Sequence, residues 1–235
     1  MRKPWTWGMA ALLVAGGMAG ARAGDIDDAQ LAHRCPSMAA WIKAHKAGAE
    51  ADRKAHSPAR PSQPALRAEL LKMSDADQQA RDAVNADGGK HPAPIKAMLA
   101  VDARNLPRIR QIDAGQGFPT PAQVGYDGVQ AAWLLVQHAD SDPAFQLHVL
   151  EELQARPDHG GVGAQDFTLL TDRVLVAQHK PQRYGTQFKM KDGELQPDPI
   201  EDPVNVDRRR AAAGLPPLAD YECLLRSSYG LPAKS

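Results

Sequence analysis

The residue best placed to do chemistry is His138, in the string "LLVQHAD". At 100° per residue its imidazole falls between Leu134 and Leu135 and points into the interior those leucines occupy. Two readings of such a histidine stay open: a buried ring satisfied by a carbonyl or carboxylate, or a general acid or base, since both look alike in sequence. Gln137 falls on the narrow polar gap of the same wheel, beside Gln130. Cations and amides suited to holding an anion follow in the chain: Arg173 in "TDRVLV", Arg183, Tyr184 and Gln187 in "PQRYGTQF", and Arg209 and Arg210 in "VDRRR". A guanidinium offers two parallel donors to a carboxylate or phosphate, and a histidine beside that anion can move a proton. His138 is therefore the candidate catalytic residue, and Arg183, Tyr184, Gln187, Arg209, Arg210, Arg173 and Gln137 are candidates for substrate binding.

Each candidate also has a plainer role. Arg173 sits between Leu169 and Ala177 on a mostly apolar side, where its charge must snorkel out or meet an acid from another element. Asp172 is about 100° away and cannot be that partner. Arg208, Arg209 and Arg210 spread over about 200° of a helix, so they cannot all face one point. His148, Glu151 and Glu152 have helical ligand spacing, yet one histidine with two acids on an exposed helix reads as a solvated face. No HExxH, GxSxG or phosphate loop is present, and no metal or cofactor is expected.

The elements that must position these residues are mainly helical. One helix is expected around Ser37 to Ala51, a second from Pro64 that "NADGGKHPAP" stops, and a third over "IKAMLAVDARNLPRIRQID", kinked or broken at Pro107. Thr120 with Pro121, and Asp142 with Pro143, open the next two. Between them Val129, Trp133, Leu134, Leu135 and Val136 cover most of a helix's circumference, which marks a buried spine. "QRYGTQFKM" alternates with period two ahead of Asp192-Gly193, so a β-hairpin is expected near residues 183–197. Tyr184, Thr186, Phe188 and Met190 would share one face of it, and something must approach closely at Gly185. The tail gives a short helix capped by Asp202, opened by Pro203 and ended by Gly214. The fold class expected is a single helical domain, residues 64–226, with a buried central helix and one β-hairpin; 24–63 is an N-terminal helical and linker segment and 227–235 a tail.

Arg2 and Lys3 precede the apolar run "WGMAALLVAGGMAG" and then Ala21-Arg22-Ala23, the pattern of a cleaved signal peptide over residues 1–23. Its removal leaves 25 basic against 28 acidic residues, a balance that argues against nucleic acid as a partner. No later stretch is long and apolar enough to anchor the chain in a membrane. A periplasmic or secreted location follows. Cys35 and Cys223, one near each end of the exported chain, would form a disulfide in that compartment or remain two free thiols.

The blocks "LLVQHAD", "TDRVLV", "PQRYGTQF" and "VDRRRAAAGLPPLADY", in this order and with these gaps, resemble an uncharacterised, mostly bacterial family described only as a domain of unknown function. The resemblance extends over Leu66 to Leu224 and includes "DQQAR" at Asp77 to Arg81 and "VDARNL" at Val101 to Leu106. Its recurring polar positions correspond to Asp77, Gln78, Arg81, Asp102, Asn105, Gln137, His138, Gln146, Asp172, Arg173, Gln182, Arg183, Tyr184, Thr186, Gln187, Arg209 and Arg210. It implies no activity. The residues themselves leave two functions: an envelope hydrolase or lyase acting on an anionic substrate, or a non-catalytic binding or inhibitor protein whose polar network recognises a peptide or only locks the hairpin to the helices. The partner in either case is an unknown small molecule or peptide of the cell envelope.

Overall fold

A computed structural model describes residues 28–56 and 60–232; the leader expected over 1–23 lies outside them. Nine α-helices and one hairpin are present among the described residues: α1 (Asp28–Arg34), α2 (Pro36–His56), α3 (Pro64–Asp87), α4 (Pro92–Gln116), α5 (Pro121–Gln137), α6 (Pro143–Ala155), α7 (Ala164–Ala177), β1 (Phe188–Lys191), β2 (Glu194–Pro197), α8 (Val206–Ala212) and α9 (Leu218–Ser228). None of the helices among these residues is long and apolar enough to cross a membrane.

The spine is α5. Gln123 accepts the Thr120 backbone N–H at 2.9 Å, and the chain breaks from helical geometry at Gly125 (φ 73°) before running to Gln137. Val129, Trp133 and Val136 are wholly buried. α3 packs along α5, and α4, α6 and α7 complete the walls. Leu70, Ile109, Ile112, Phe145, Val149, Leu153, Leu169 and Leu170 join the spine in one core. The break at Pro107 does not occur: α4 is helical from Pro92 to Gln116 with Pro107 inside it. Losing one backbone donor costs about 3 kcal/mol in isolation, a cost opposed by the burial of Val101, Ile109 and Ile112 on the two sides of Pro107.

Two smaller clusters close the molecule. Leu31, Cys35, Met38 and Leu224 join α1 and α2 to α9 around the Cys35–Cys223 disulfide. Phe188, Leu195, Tyr221 and Leu225 seat the hairpin on α9. β1 and β2 pair antiparallel, Phe188 with Pro197 through Lys191 with Glu194, around the expected Asp192-Gly193 turn. The strand starts only at Phe188, later than the alternation suggests. Thr186, Gln187 and Phe188 are buried in succession, so period two fails there. Gly185 has φ 70°, and a Cβ on it would lie 2.9 Å from Leu218 and 3.1 Å from Ile200. What approaches the glycine is thus the molecule's own C-terminal half. Near the tail, Asp202 does not cap a helix; its carboxylate accepts from the Asn205 amide at 2.7 Å, and α8 begins after a short 3₁₀ turn over Pro203–Asn205.

Candidate functional site

His138 terminates the spine. Its backbone N–H still donates to Leu134 at 3.0 Å, so the ring is fixed at the C-terminal end of α5. The Gln146 amide donates at 3.1 Å to each of two carbonyls at the end of α5, that of Val136, which also accepts from the Ala139 N–H, and that of Gln137. The histidine's carrier is therefore held by α6 as well as by its own helix.

Facing the ring, α3 presents Asp77 and Arg81 one turn apart. Nδ1 of His138 lies 2.9 and 3.0 Å from the two Asp77 oxygens. Arg81 donates to Asp77 at 2.7 Å and, through Nη2, to both oxygens of Asp102 on α4 at 3.0 and 3.1 Å. Burial pushes the Asp77 carboxyl up, but His138, Arg81 and Gln78 together hold it below the usual carboxylate range. It is an ionised acceptor, so Nδ1 carries the proton. Burial pushes the His138 ring below its ordinary value, against the attraction of Asp77, and Arg81 and Arg173 push the same way. The ring is neutral near pH 7 and Nε2 holds the lone pair. That Nε2 is buried and has no hydrogen-bond partner.

Arg173 stands near enough to act electrostatically on His138. Its Nη1 donates to Asp140, two residues beyond the histidine, so the partner that an apolar helix side demanded comes from the α5–α6 turn. Nε and Nη2, the parallel edge that grips carboxylates and phosphates, are buried and without partners. Asp140 itself is 60% exposed and gives this locus an edge on the surface. Burial raises Asp102 to about 6, with Arg81 opposing and the charges of Asp77 and Asp140 adding. Two more donors nearby in sequence go unused: the Asn105 amide, one turn beyond Asp102 on α4, and the wholly buried amide of Gln137, which occupies the interior and not a polar gap.

The other predicted binding residues gather around Asp172, the neighbour of Arg173 on α7. Its carboxylate accepts from the backbone N–H of Arg183 (2.7 Å), Tyr184 (3.0 Å) and Thr186 (2.9 Å) and from the Thr186 hydroxyl (2.9 Å). Gln182 folds the strap onto itself, accepting from Gln187 N–H at 2.8 Å and donating to the carbonyls of Gln187 and Asp198. The Gln187 amide donates to Leu169 at 3.3 Å and to Thr186 at 3.0 Å. Arg210, 1% exposed, donates to the carbonyls of Pro216 (2.6 Å) and Tyr184 (2.7 Å) and lies over the Tyr221 ring. Arg209 donates to Arg183, Glu201 and Asp202 carbonyls. The Arg183 side chain is exposed, 5.9 Å over the Tyr184 ring. The hydrogen-bonding wealth of "PQRYGTQF" is thus spent on clasping α7. Because successive helical residues diverge by about 100°, Asp172 turns to the clasp and Arg173 to the histidine.

Asp77, Arg81, Asp102 and Asp140, which complete the histidine's surroundings, were not among the candidates. Asp77 and Arg81 had a readable signal, an acid and a base at i and i+4 within one of the polar blocks. Elsewhere the His148 face gathers a different acid from the one its spacing offers: Asp113 of α4 joins His148 and Glu152, while Glu151 is exposed.

The fold and site define a helical domain, closed by a hairpin clasp, that buries a carboxylate–histidine pair beside an arginine fork. The model of a family of unknown function, DUF6624, matches residues 64–234, and the chain belongs to that family. No curated protein and no solved structure matches the chain.

Proposed function

We propose that this is an exported acid–base enzyme, a hydrolase or lyase acting on an anionic substrate of the cell envelope. His138 shuttles the proton through Nε2, Asp77 fixes its tautomer, and the Nε–Nη2 edge of Arg173 holds the anion. Asp102, titrating near pH 6, is a second proton carrier within the same ion network. The observation that carries this reading is that two buried, unpartnered groups of complementary use, a basic nitrogen and a guanidinium fork, lie within electrostatic reach of each other. A buried polar group without a partner costs about 1–3 kcal/mol. A ligand that satisfied both would offset that cost. Export is supported by the leader-like N-terminus and by the Cys35–Cys223 bond, which persists in oxidising compartments.

A binding or inhibitor role is the second reading, favoured by one fact: Nε2 of His138 is sealed from solvent. Chromogenic phosphate and carboxylate esters with a second anionic group separate the two. The enzyme predicts turnover that His138→Gln abolishes while affinity stays, and weaker affinity in Arg173→Gln. Binding that depends on Arg173 without turnover assigns the binding role, and neither turnover nor Arg173-dependent binding overturns both.

A further inference from the structure

A second polar locus lies between α4 and α6. His148 and Glu152 are one turn apart on α6, and Asp113 reaches them from α4; one ligand atom from each lies within 4.8 Å of the others. His148 Nε2 stands 3.1 Å from Asp113 Oδ2. Two ligands of one tetrahedral ion at about 2.1 Å are about 3.4 Å apart, so the histidine and aspartate already have nearly that spacing. The Asp113 side chain is 6% exposed, and its Oδ1 is buried with no partner. Glu152 uses Oε1 for the Phe118 N–H (3.0 Å) and for Arg156, while Oε2 is likewise buried and unpartnered. The two carboxyl groups stand within hydrogen-bonding range of each other between α4 and α6. A divalent cation placed between them would satisfy both free oxygens. Arg156 lies against Glu152 and offsets one of the two carboxylate charges. A cavity of about 270 Å³ lined by Asp113, His148, Phe145, Ala144 and the Arg110–Asp142 ion pair adjoins the trio, and His148 is 62% exposed, which gives an ion a route in.

We propose that Asp113, His148 and Glu152 form a three-ligand site for a first-row divalent cation of the Zn²⁺ type, its remaining coordination position facing the adjoining cavity. One imidazole with two carboxylates suits Zn²⁺ and its first-row neighbours; Ca²⁺ wants six to eight oxygens and Mg²⁺ keeps several waters. An open fourth position next to a cavity is the arrangement in which such an ion binds water or a second ligand and not merely a structural clip.

The test uses the untagged full chain, stripped with a chelator and titrated with Zn²⁺ by calorimetry, with Co²⁺ as a spectroscopic substitute. The site predicts one equivalent bound, visible Co²⁺ absorption, and a melting temperature raised by about 5 °C or more when Zn²⁺ is about a hundred times its dissociation constant. His148→Ala gives up the contact to Asp113, so it should lower the metal-free melting temperature by no more than about 4 °C while weakening Zn²⁺ at least tenfold; Glu152→Gln should weaken it similarly. His138→Ala should bind Zn²⁺ as the parent does. Absence of stoichiometric binding in the parent, or undiminished binding in both His148→Ala and Glu152→Gln, overturns the assignment.

Discussion

Replacing Asp172 by asparagine isolates the contact that orients Arg173. Four donors converge on the Asp172 carboxylate, three of them backbone N–H groups of the strap. Asparagine keeps one oxygen, which serves Arg183 and Tyr184, but turns an NH₂ toward Thr186. The Thr186 hydroxyl can rotate to accept; its backbone N–H cannot, and a buried orphan costs about 1–3 kcal/mol. Two bonds to a charged acceptor also become neutral, and neutral bonds are roughly half as strong, a loss of about 1 kcal/mol each. Against this, burial raises the Asp172 pKa even though the N–H donors oppose it, so the substitution also removes a charge that the interior disfavours. The balance is a destabilisation of about 3 kcal/mol, or roughly 6–12 °C in melting temperature for a chain of this size. Thermal melting and amide hydrogen exchange report it together: the amides of residues 183, 184 and 186 should lose protection before those of α5. A melting temperature within about 1 °C of the parent, with those three amides still protected, would refute the clasp.

Two further outcomes follow from the same structure. The disulfide closes a sequence separation of 188 residues, for which chain entropy gives about 5 kcal/mol, so Cys35→Ser should lower urea stability by several kcal/mol and expose α1 and α2 to protease; a change under about 1 kcal/mol would contradict this. Asp166, buried at the start of α7, is raised by burial to about 6 against the Gln130 hydrogen bond. A carboxyl raised in the folded state contributes fully below its ordinary value near 3.8 and loses that contribution as pH climbs through about 6. Asp166→Asn should therefore match the parent near pH 4 and exceed it by up to about 3 kcal/mol at pH 8 in urea unfolding, whereas an equal difference at both pH values would show that the carboxyl does not titrate this way.

Much of this architecture is legible in the residues, and the limits are physical. The spine announces itself because an all-round apolar helix has nowhere to go but inside, and the Pro121 and Pro143 starts are local events. The strap misleads because Arg183 to Phe188 alternates like a strand while Gly185 takes φ 70° to let Leu218 and Ile200 in, a requirement set by a helix more than 30 residues away. The same distance hides the site. His138 and Arg173 are visible as polar residues on apolar sides, but their partners Asp77 and Asp140 are fixed by packing of α3 and by a turn, and only coordinates decide between those acids and the arginines of the tail. Arg209 and Arg210 look like anion ligands in sequence; their donors are consumed by carbonyls that the chain's own turns bring to them.

The most direct test reads the histidine itself. Long-range ¹H–¹⁵N NMR at pH 7 should find the His138 ring neutral, with the proton on Nδ1 and a bare Nε2. Addition of phenyl phosphate or a small dicarboxylate should shift Nε2 in the parent and not in Arg173→Gln. A proton on Nε2 before addition, or an Nε2 that no such anion moves or that moves equally without Arg173, would contradict the account.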